Sequence, residues 1–431
     1  MSKEENRKNF SKYVSQNILG MIGFSCYVLA DSYFISIAKG ADGLTALNLV
    51  MPLYSIIFSI GEMIGVGSAI RYAISKIKKD ADADDYFWNA LIWCILSSML
   101  FVFAGIFFSA DIMRVLGADE HIVAVGNNYT KIFMCFAPMF MCNYVTNAFV
   151  RNDGAPGIAM SATIFSSLFN IVFDYILMFP MNLGMEGAAL ATALSPIIGM
   201  GICSIHFFSK KSSVRLVVCK PSVRKLVAGS QLGVSAFVGE MSSAVITLAF
   251  NFVILKLAGN VGVAAYGVVA NIAIVTTAVF NGVAQGSQPL ISSCFGRGDK
   301  DGCTQLKRMG YTTAFVLAAV MYSILFIFAG QFVAVFNSEG SEMLRLYATE
   351  GVKLYFIGIF FAGINIVGGG AFSATEDAFK AAVVSVARGF VLILGAVFVM
   401  SALFGMTGVW LAYAVAEGIT TFIMLVMVLR V

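Results

Sequence analysis

The sequence predicts an all-α polytopic membrane protein, with twelve transmembrane helices in two six-helix lobes related by a parallel internal repeat. Three observations carry this reading. The 431 residues are 59% apolar and only 12% charged, with a mean hydropathy of +0.86, whereas soluble domains carry roughly 25% charged residues. Apolar runs of about 20 residues, the length that crosses a ~30 Å hydrocarbon core, recur along the whole chain. Two stretches of the first half also return in the second at nearly one displacement.

The runs place spans at about 13–37, 48–70, 87–109, 131–150, 156–179, 187–208, 228–257, 261–288, 309–330, 352–374, 381–403 and 407–429. The start, "MSKEENRKNFSKY", has no cleavable signal pattern, so the first span is a retained helix. Of the 28 lysines and arginines, 22 fall in one set of flanks. The other set holds 6: Lys39, Arg114, Lys131, Lys256, Arg345 and Lys353. Positive residues stay inside, which makes both termini cytoplasmic in a multi-pass protein of the cell membrane. The net charge of +4 follows from this bias and gives no sign of nucleic-acid binding. The run "DADADD" after "KIKK" reads as a solvated loop.

"LGMEGAALATALS" (183–195) matches "FGMTGVWLAYAVA" (404–416) at a displacement of 221. "ALNLVMP" through "GVGSAIRYAIS" (46–75) loosely matches "AYGVVAN" through "AQGSQPLISSC" (265–294) at 219. Each half holds an even number of spans, so both enter the membrane in the same direction, and a binding site is expected between or within them. The domains are then an N-terminal lobe at 1–208, a polar cytoplasmic connector at 209–225 and a C-terminal lobe at 226–431.

Such a duplication indicates a transporter rather than a channel or an enzyme. No nucleophile elbow, phosphate loop or other catalytic signature appears, and no cofactor is implied beyond a coupling ion. The eight cysteines include no CxxC pair and are expected to be reduced thiols. His121 and His206 lie in unrelated places, which leaves no histidine-based metal site. The 41 glycines, with "GEMIGVG" (61–67) and "GGG" (368–370) among them, permit close helix approach. Pro52, Pro138 and Pro196 fall inside spans and should bend them.

The informative residues are the polar ones in hydrocarbon, where an aspartate costs roughly 2.5–3.5 kcal/mol on the lenient scale. Asn170 and Asp174 in "FNIVFDYILMFP" stand at i and i+4, on one helix face. Asp31 in the first span and Thr192 in the sixth fall at the same depth, within ~10 Å of the outer boundary. Four oxygen-bearing side chains on three helices of one half suit a small hard cation, Na⁺, or a proton shared between carboxylates. The second half does not repeat them, since Gly395 and Val391 take the places of Asp174 and Asn170. Glu62, Glu240 and Glu417 are further intramembrane acids, whose neutral form is the expected resting state wherever they are dry. Glu240 reads with Asn271 and Gln285 as a wetted cavity of the C-terminal half, and Asn143 and Asn147 share a face of the fourth span.

"FNIVFDYILMF" with "GMEGAALATALS", and "FVGEMSSAVITLAFNFVILKLAGNVGVAAYGVVANIA" with "GVAQGSQPLIS", resemble the multidrug and toxic compound extrusion (MATE) transporters over nearly the whole chain. The pattern of Asp31, Asn170, Asp174 and Thr192 is similar to the N-lobe cation site of the DNA-damage-inducible F (DinF) type. The resemblance implies an antiporter, expected as a monomer in the lipid bilayer, that exports amphipathic and often cationic organic compounds against H⁺ or Na⁺. The four residues would hold the coupling ion, and Asn147 would join the polar lining. The chain departs from the family's first-span pattern at Val28 and Ser36, where Asn and Gly are common, and this bears on the pocket mouth. The alternative is a lipid-linked oligosaccharide flippase of the same superfamily, which should carry basic residues inside its spans to hold a pyrophosphate.

Overall fold

A single glycine with a left-handed φ joins helix to helix at three places in the chain. Gly40 (φ 58°, ψ −141°) divides α1, Lys3–Lys78. Gly259 (φ 61°, ψ −157°) divides α7, Val223–Gly296, and Gly405 (φ 58°, ψ −136°) divides α13, Leu392–Leu429. A side chain strains this backbone conformation, so the turn requires glycine. Gly40 and Gly259 are separated by the smaller displacement of the sequence repeat. Gly184, which also has positive φ, and Gly405 are separated by the larger one.

The repeat extends to the packing inside the turn. A Cβ added at Gly43 would lie 2.6 Å from Lys39 Cβ and 3.1 Å from Ile35 Cγ2. At Gly262 it would lie 2.5 Å from Ala258 Cβ and 2.8 Å from Ile254 Cγ2, the corresponding neighbours in the second half.

The computed structural model describes residues 3–336 and 341–429; Arg430, one of the 22 basic flank residues, lies outside them. Between the divided helices run α2 (Asp85–Val115), α3 (Glu120–Cys135), α4 (Ala137–Asn152), α5 (Pro156–Met178) and α6 (Gly184–Phe207). After α7 come α8 (Lys300–Ile327), α9 (Ala329–Phe336), α10 (Glu342–Tyr355), α11 (Ile359–Ala374) and α12 (Ala378–Val386). A 3₁₀ turn, Phe356–Gly358, links α10 to α11, and a π turn, Ala387–Val391, links α12 to α13. Nine helices among the described residues are long and apolar enough to cross a membrane, and α3 with α4, bent by 46°, makes a tenth. Dividing two of these at Gly259 and Gly405 gives twelve spans. Pro138 opens α4 at that bend, and Pro52 and Pro196 lie inside α1 and α6, as does Pro289 in α7.

By packing, the chain forms two compact units. One comprises Ser15–Glu240 with Ser292–Asp299. The other comprises the chain up to Val14, Met241–Ile291 and the chain from Lys300 onward. In this second unit Asn6 donates to Gln305 at 3.2 Å, and Phe372, Ala381, Val384 and Met424 form a buried apolar cluster across α11, α12 and α13.

In lipid, helices gain little by burying apolar side chains against one another, so close backbone approach carries the packing. In the first unit the second arm of α1 is glycine-lined on two sides. Cβ atoms added at Gly61 and Gly65 would lie 2.9 Å from the backbone of Met141 and Tyr144 on α4. Those at Gly67 and Gly233 would collide with the carbonyl oxygens of Gly229 and Met63, where α1 meets the start of α7. Leu100, Phe103 and Phe107 of α2 point outward, a face fit for lipid rather than water.

Two expectations change at the end of this unit that carries most of the basic flanks. The acidic run is not merely solvated: Asp84 pairs with Lys76 at 2.6 Å, and Asp85 with Lys225. Arg151, counted with the flanks, is buried and interacts electrostatically with Glu62. Residues 209–222, between α6 and α7, lie against these helix ends, where the Ser213 amide donates to Asp153 and the Ser222 amide to Asn89.

The glycine contacts set a test. Gly67→Ala places a methyl where Gly229 already stands and should destabilise the purified protein by about 1–3 kcal/mol, the usual range for overpacking. Gly267→Ala, with no atom within 4 Å of its new methyl, should leave the thermal midpoint unchanged. Equal midpoints for the two variants would contradict backbone contact at Gly67.

Candidate functional site

Asp31 stands near the end of the first arm of α1, Asn170 and Asp174 one turn apart on α5, and Thr192 on α6. Two glycines lay α1 along α5: a Cβ added at Gly20 would lie 3.7 Å from Met160 Cα, and one at Gly23 3.4 Å from Ile164 Cγ1. Gly187 brings α6 close to the other side of α5, where an added Cβ would lie 2.8 Å from the Leu177 backbone. The four predicted side chains therefore belong to one packed group of helices, in one unit, and all are buried.

Asn170 Nδ2 donates to Thr192 Oγ1 at 3.1 Å. That bond leaves the acceptors unsatisfied. Asp31 Oδ1, Asn170 Oδ1 and both carboxylate oxygens of Asp174 have no hydrogen-bond partner among the described residues. Buried polar atoms nearly always have one, and a group of exceptions points to a missing ion or proton. Asp31 and Asp174 also interact electrostatically. Oxygen atoms from two carboxylates, an amide and a hydroxyl fit a small hard cation or a proton, and among the described residues no basic side chain bonds to these unsatisfied oxygens.

Tyr27, Tyr54 and Tyr129 interact electrostatically with both Asp31 and Asp174. Phe34 meets Tyr175 and Phe179 with ring centroids 6.3 and 6.2 Å apart. Tyr27 lies one turn before Asp31, and the hydroxyls of Tyr54 and Tyr129 are hydrogen-bonded to each other. Tyr54 stacks on Phe133 at 3.6 Å. Rings beside an acid suit the apolar body and positive charge of an organic cation.

A family model described as MatE matches residues 17–176 and 236–399. The chain belongs to the MatE family. Multidrug export protein MepA of Staphylococcus aureus (strain MRSA252) is 27% identical over 414 residues, covering 93% of this chain and 89% of that protein. MepA of Staphylococcus saprophyticus is 26% identical over 409 residues, with the same coverage of both. Among solved structures, an outward-facing multidrug resistance MATE family transporter of the MOP superfamily superposes with a TM-score of 0.92. Its identity is 20%, over 99% of this chain and 96% of that one. A MOP superfamily transporter from Pyrococcus furiosus, described as having reversed pocket polarity, superposes with a TM-score of 0.90 at 20% identity, over 98% and 95% of the two chains. These likenesses show the fold.

The other polar residues singled out in this MatE chain do not form one group. Asn147 donates to Ala159 O at 3.1 Å and Thr163 Oγ1 at 3.2 Å on α5, so its amide is used in helix packing. Asn143 lies against Gly199 of α6. Glu240 interacts electrostatically with Glu62 in the first unit, whereas Asn271 and Gln285 fall in the second and are half-buried. The expected grouping of Glu240 with them is therefore not what packing shows. The two units share α7: Val223–Glu240 and Ser292–Gly296 pack in the first unit and Met241–Ile291 in the second.

Counting flanks also missed Arg388, which lies inside the eleventh span. Its Nε donates to Glu417 Oε1 at 3.0 Å and its Nη2 to the same oxygen at 2.6 Å. Asn365 Nδ2 adds a bond to Oε2 at 2.7 Å, and Thr421 Oγ1 donates to Asn365 Oδ1 at 3.0 Å. Glu417, expected neutral if dry, is thus placed against an arginine and an amide donor. Arg388 sits in the π turn, a distortion that often marks functional positions. A tally of basic residues inside each span, rather than at its edges, would have found it.

Removing one partner of such a pair strands a buried charge, which typically costs about 3–5 kcal/mol. Arg388→Met should therefore lower thermal stability sharply, and Arg388→Met with Glu417→Met should recover most of it. If the double variant is no more stable than the single, burial of an unpaired charge is not the cause.

Proposed function

We propose that this MatE protein exports amphipathic, often cationic organic compounds and couples their exit to entry of H⁺ or Na⁺ by alternating access. The observation that carries the reading is the buried carboxylate pair in which Asp31 Oδ1 and both oxygens of Asp174 lack donors among the described residues. A structural carboxylate in hydrocarbon looks like Glu417, surrounded by donors on several helices. Asp31 and Asp174 are the opposite case: their burial is offset only while a cation neutralises them.

A cation that binds one conformation better than the other shifts the equilibrium by its difference in affinity. Protonation or Na⁺ binding at Asp31 and Asp174 removes the repulsion between the carboxylates and favours the state in which they are sealed from water. An organic cation competes for the same negative charge, with its rings against Tyr27, Phe34 and Tyr54. Exchange follows, because either positive charge satisfies the pair and both together overload it. The MepA relatives, named as multidrug export proteins, support the substrate class, and the four-residue pattern supports the DinF type.

The flippase alternative needs basic charge inside the spans that is available to a pyrophosphate. Arg388 is there, but Glu417 holds it, and Arg151 faces Glu62. That favours export.

Efflux of ethidium from proteoliposomes under separate Na⁺ and pH gradients tests the coupling. In the parent, the driving ion should change ethidium affinity by a factor of roughly 5–150, the usual size of coupling between two ligands. Asp174→Asn should fold normally, bind ethidium and lose that dependence. Asp31→Asn should lose coupled efflux, and Glu240→Gln should lose less. An Asp174→Asn variant with parental ion dependence would show that the aspartate only joins helices.

Orientation is tested by cysteine labelling. A cysteine at Ser341 should react with an impermeant maleimide added outside intact cells, and one at Lys211 should not. The reverse result would invert the direction of transport proposed here.

A further inference from the structure

The segment between α6 and α7 reads as a tether, yet its polar groups are bonded in two clusters. The first is built on Asp153, in the turn after α4. One carboxylate oxygen accepts from Tyr72 at 3.1 Å and from the Ser213 hydroxyl. The other accepts from the Ser213 amide at 2.9 Å and Ser212 Oγ at 3.3 Å, and pairs with His206 Nε2 at 2.8 Å. The side chains of Asp153 and His206 are 2% and 4% exposed, so this is an interior cluster at the end of a helix bundle. It ties α1, the α4–α5 turn and α6 to the connector.

The second cluster lies at the start of α2. Asn89 Oδ1 accepts from the Ser222 amide at 2.6 Å, while its Nδ2 lies 3.1 Å from Cys219 Sγ. Asp84 accepts from the Arg215 amide at 3.3 Å, and Asp85 pairs with Lys225. Immediately beyond, Arg71 Nε donates to Ala228 O at 3.1 Å, and Gly229 and Gly233 meet α1 backbone to backbone. The opening turns of α7 are thus fixed to the first unit, and the first of two changes of unit along α7 falls at Glu240 and Met241, the second at Ile291 and Ser292. Gly239 stands at that point, with no atom within 4 Å of the place a methyl group would take.

We propose that the connector is a staple that stays closed through the transport cycle, so that Val223–Glu240 moves with the first unit and α7 bends at Gly239–Met241. Asp153 is the positioning residue of this device. The inference rests on the transport reading for its timing, and on the bonds above for the closure itself.

Native Cys219 makes it testable in the full chain. Burial, with the nearby Asp85 carboxylate, pushes its thiol above the usual range, so impermeant maleimide should label it slowly in inside-out membranes. Ethidium or an ion gradient should leave that rate unchanged, and Asp153→Ala should raise it about tenfold by local opening. If Asp153→Ala fails to fold, Ser212→Ala with Ser213→Ala removes the donors and should raise it in the same direction. Asn89→Cys brings a second thiol to Cys219, and oxidation should cross-link the pair.

The cross-linked protein in proteoliposomes should retain the ethidium efflux of its reduced form. Gly239→Ala, which stiffens the chain without a clash, should lower Vmax several-fold at unchanged KM. Three results would overturn the staple: faster labelling with ethidium, loss of efflux on cross-linking that reduction restores, or parental Vmax in Gly239→Ala. Absence of efflux in the parent itself overturns the export reading instead, and the labelling still decides whether the connector is closed.

Discussion

Hydrocarbon supplies no hydrogen bonds, and this condition separates two kinds of buried acid in the same chain. Glu417 has brought its own counter-charge and donors, Arg388 and Asn365. Asp31 and Asp174 have carboxylate oxygens with no such partners among the described residues. The first arrangement is stable without a ligand and the second is not, so the duplicated halves differ in chemistry although they share a fold. At the positions that correspond to Asn170 and Asp174, the second half presents Val391, which is 63% exposed, and Gly395, with open space beside it.

The four-residue site was legible in the sequence because depth is nearly one-dimensional in a membrane. A residue's distance from the end of its span fixes its height, and matched heights on three spans are informative without knowledge of helix order. Arg388 was invisible to the same approach. Its partner, Glu417, lies on the next span, and its own place near the start of a span made it look like a flanking charge. Glu240 failed for a related reason, since the sequence divides helices at loops whereas packing divides α7 within its length.

The connector was the least legible part. Serines, lysines and arginines between spans suggest solvation, and nothing local shows that Asp153 and His206 are buried to receive them. The recurrent glycines, by contrast, carry a signal that the sequence displays openly. "GADG" at 40–43 and "GNVG" at 259–262 make the same turn, with a left-handed first glycine and a last glycine pressed onto the preceding helix. Their separation identifies the repeat more sharply than the looser match of the helices around them.

Those turns have a consequence for how the molecule meets its surroundings. At Gly40, Gly259 and Gly405 one residue breaks the helix and turns the chain, on the side that the charge bias assigns to the exterior. A connection that short offers a protease no extended segment to enter its active site, and offers an antibody almost no epitope. An exporter built in this way would be nearly featureless to agents outside the cell. Affinity tags or recognition sequences inserted there would break the glycine geometry.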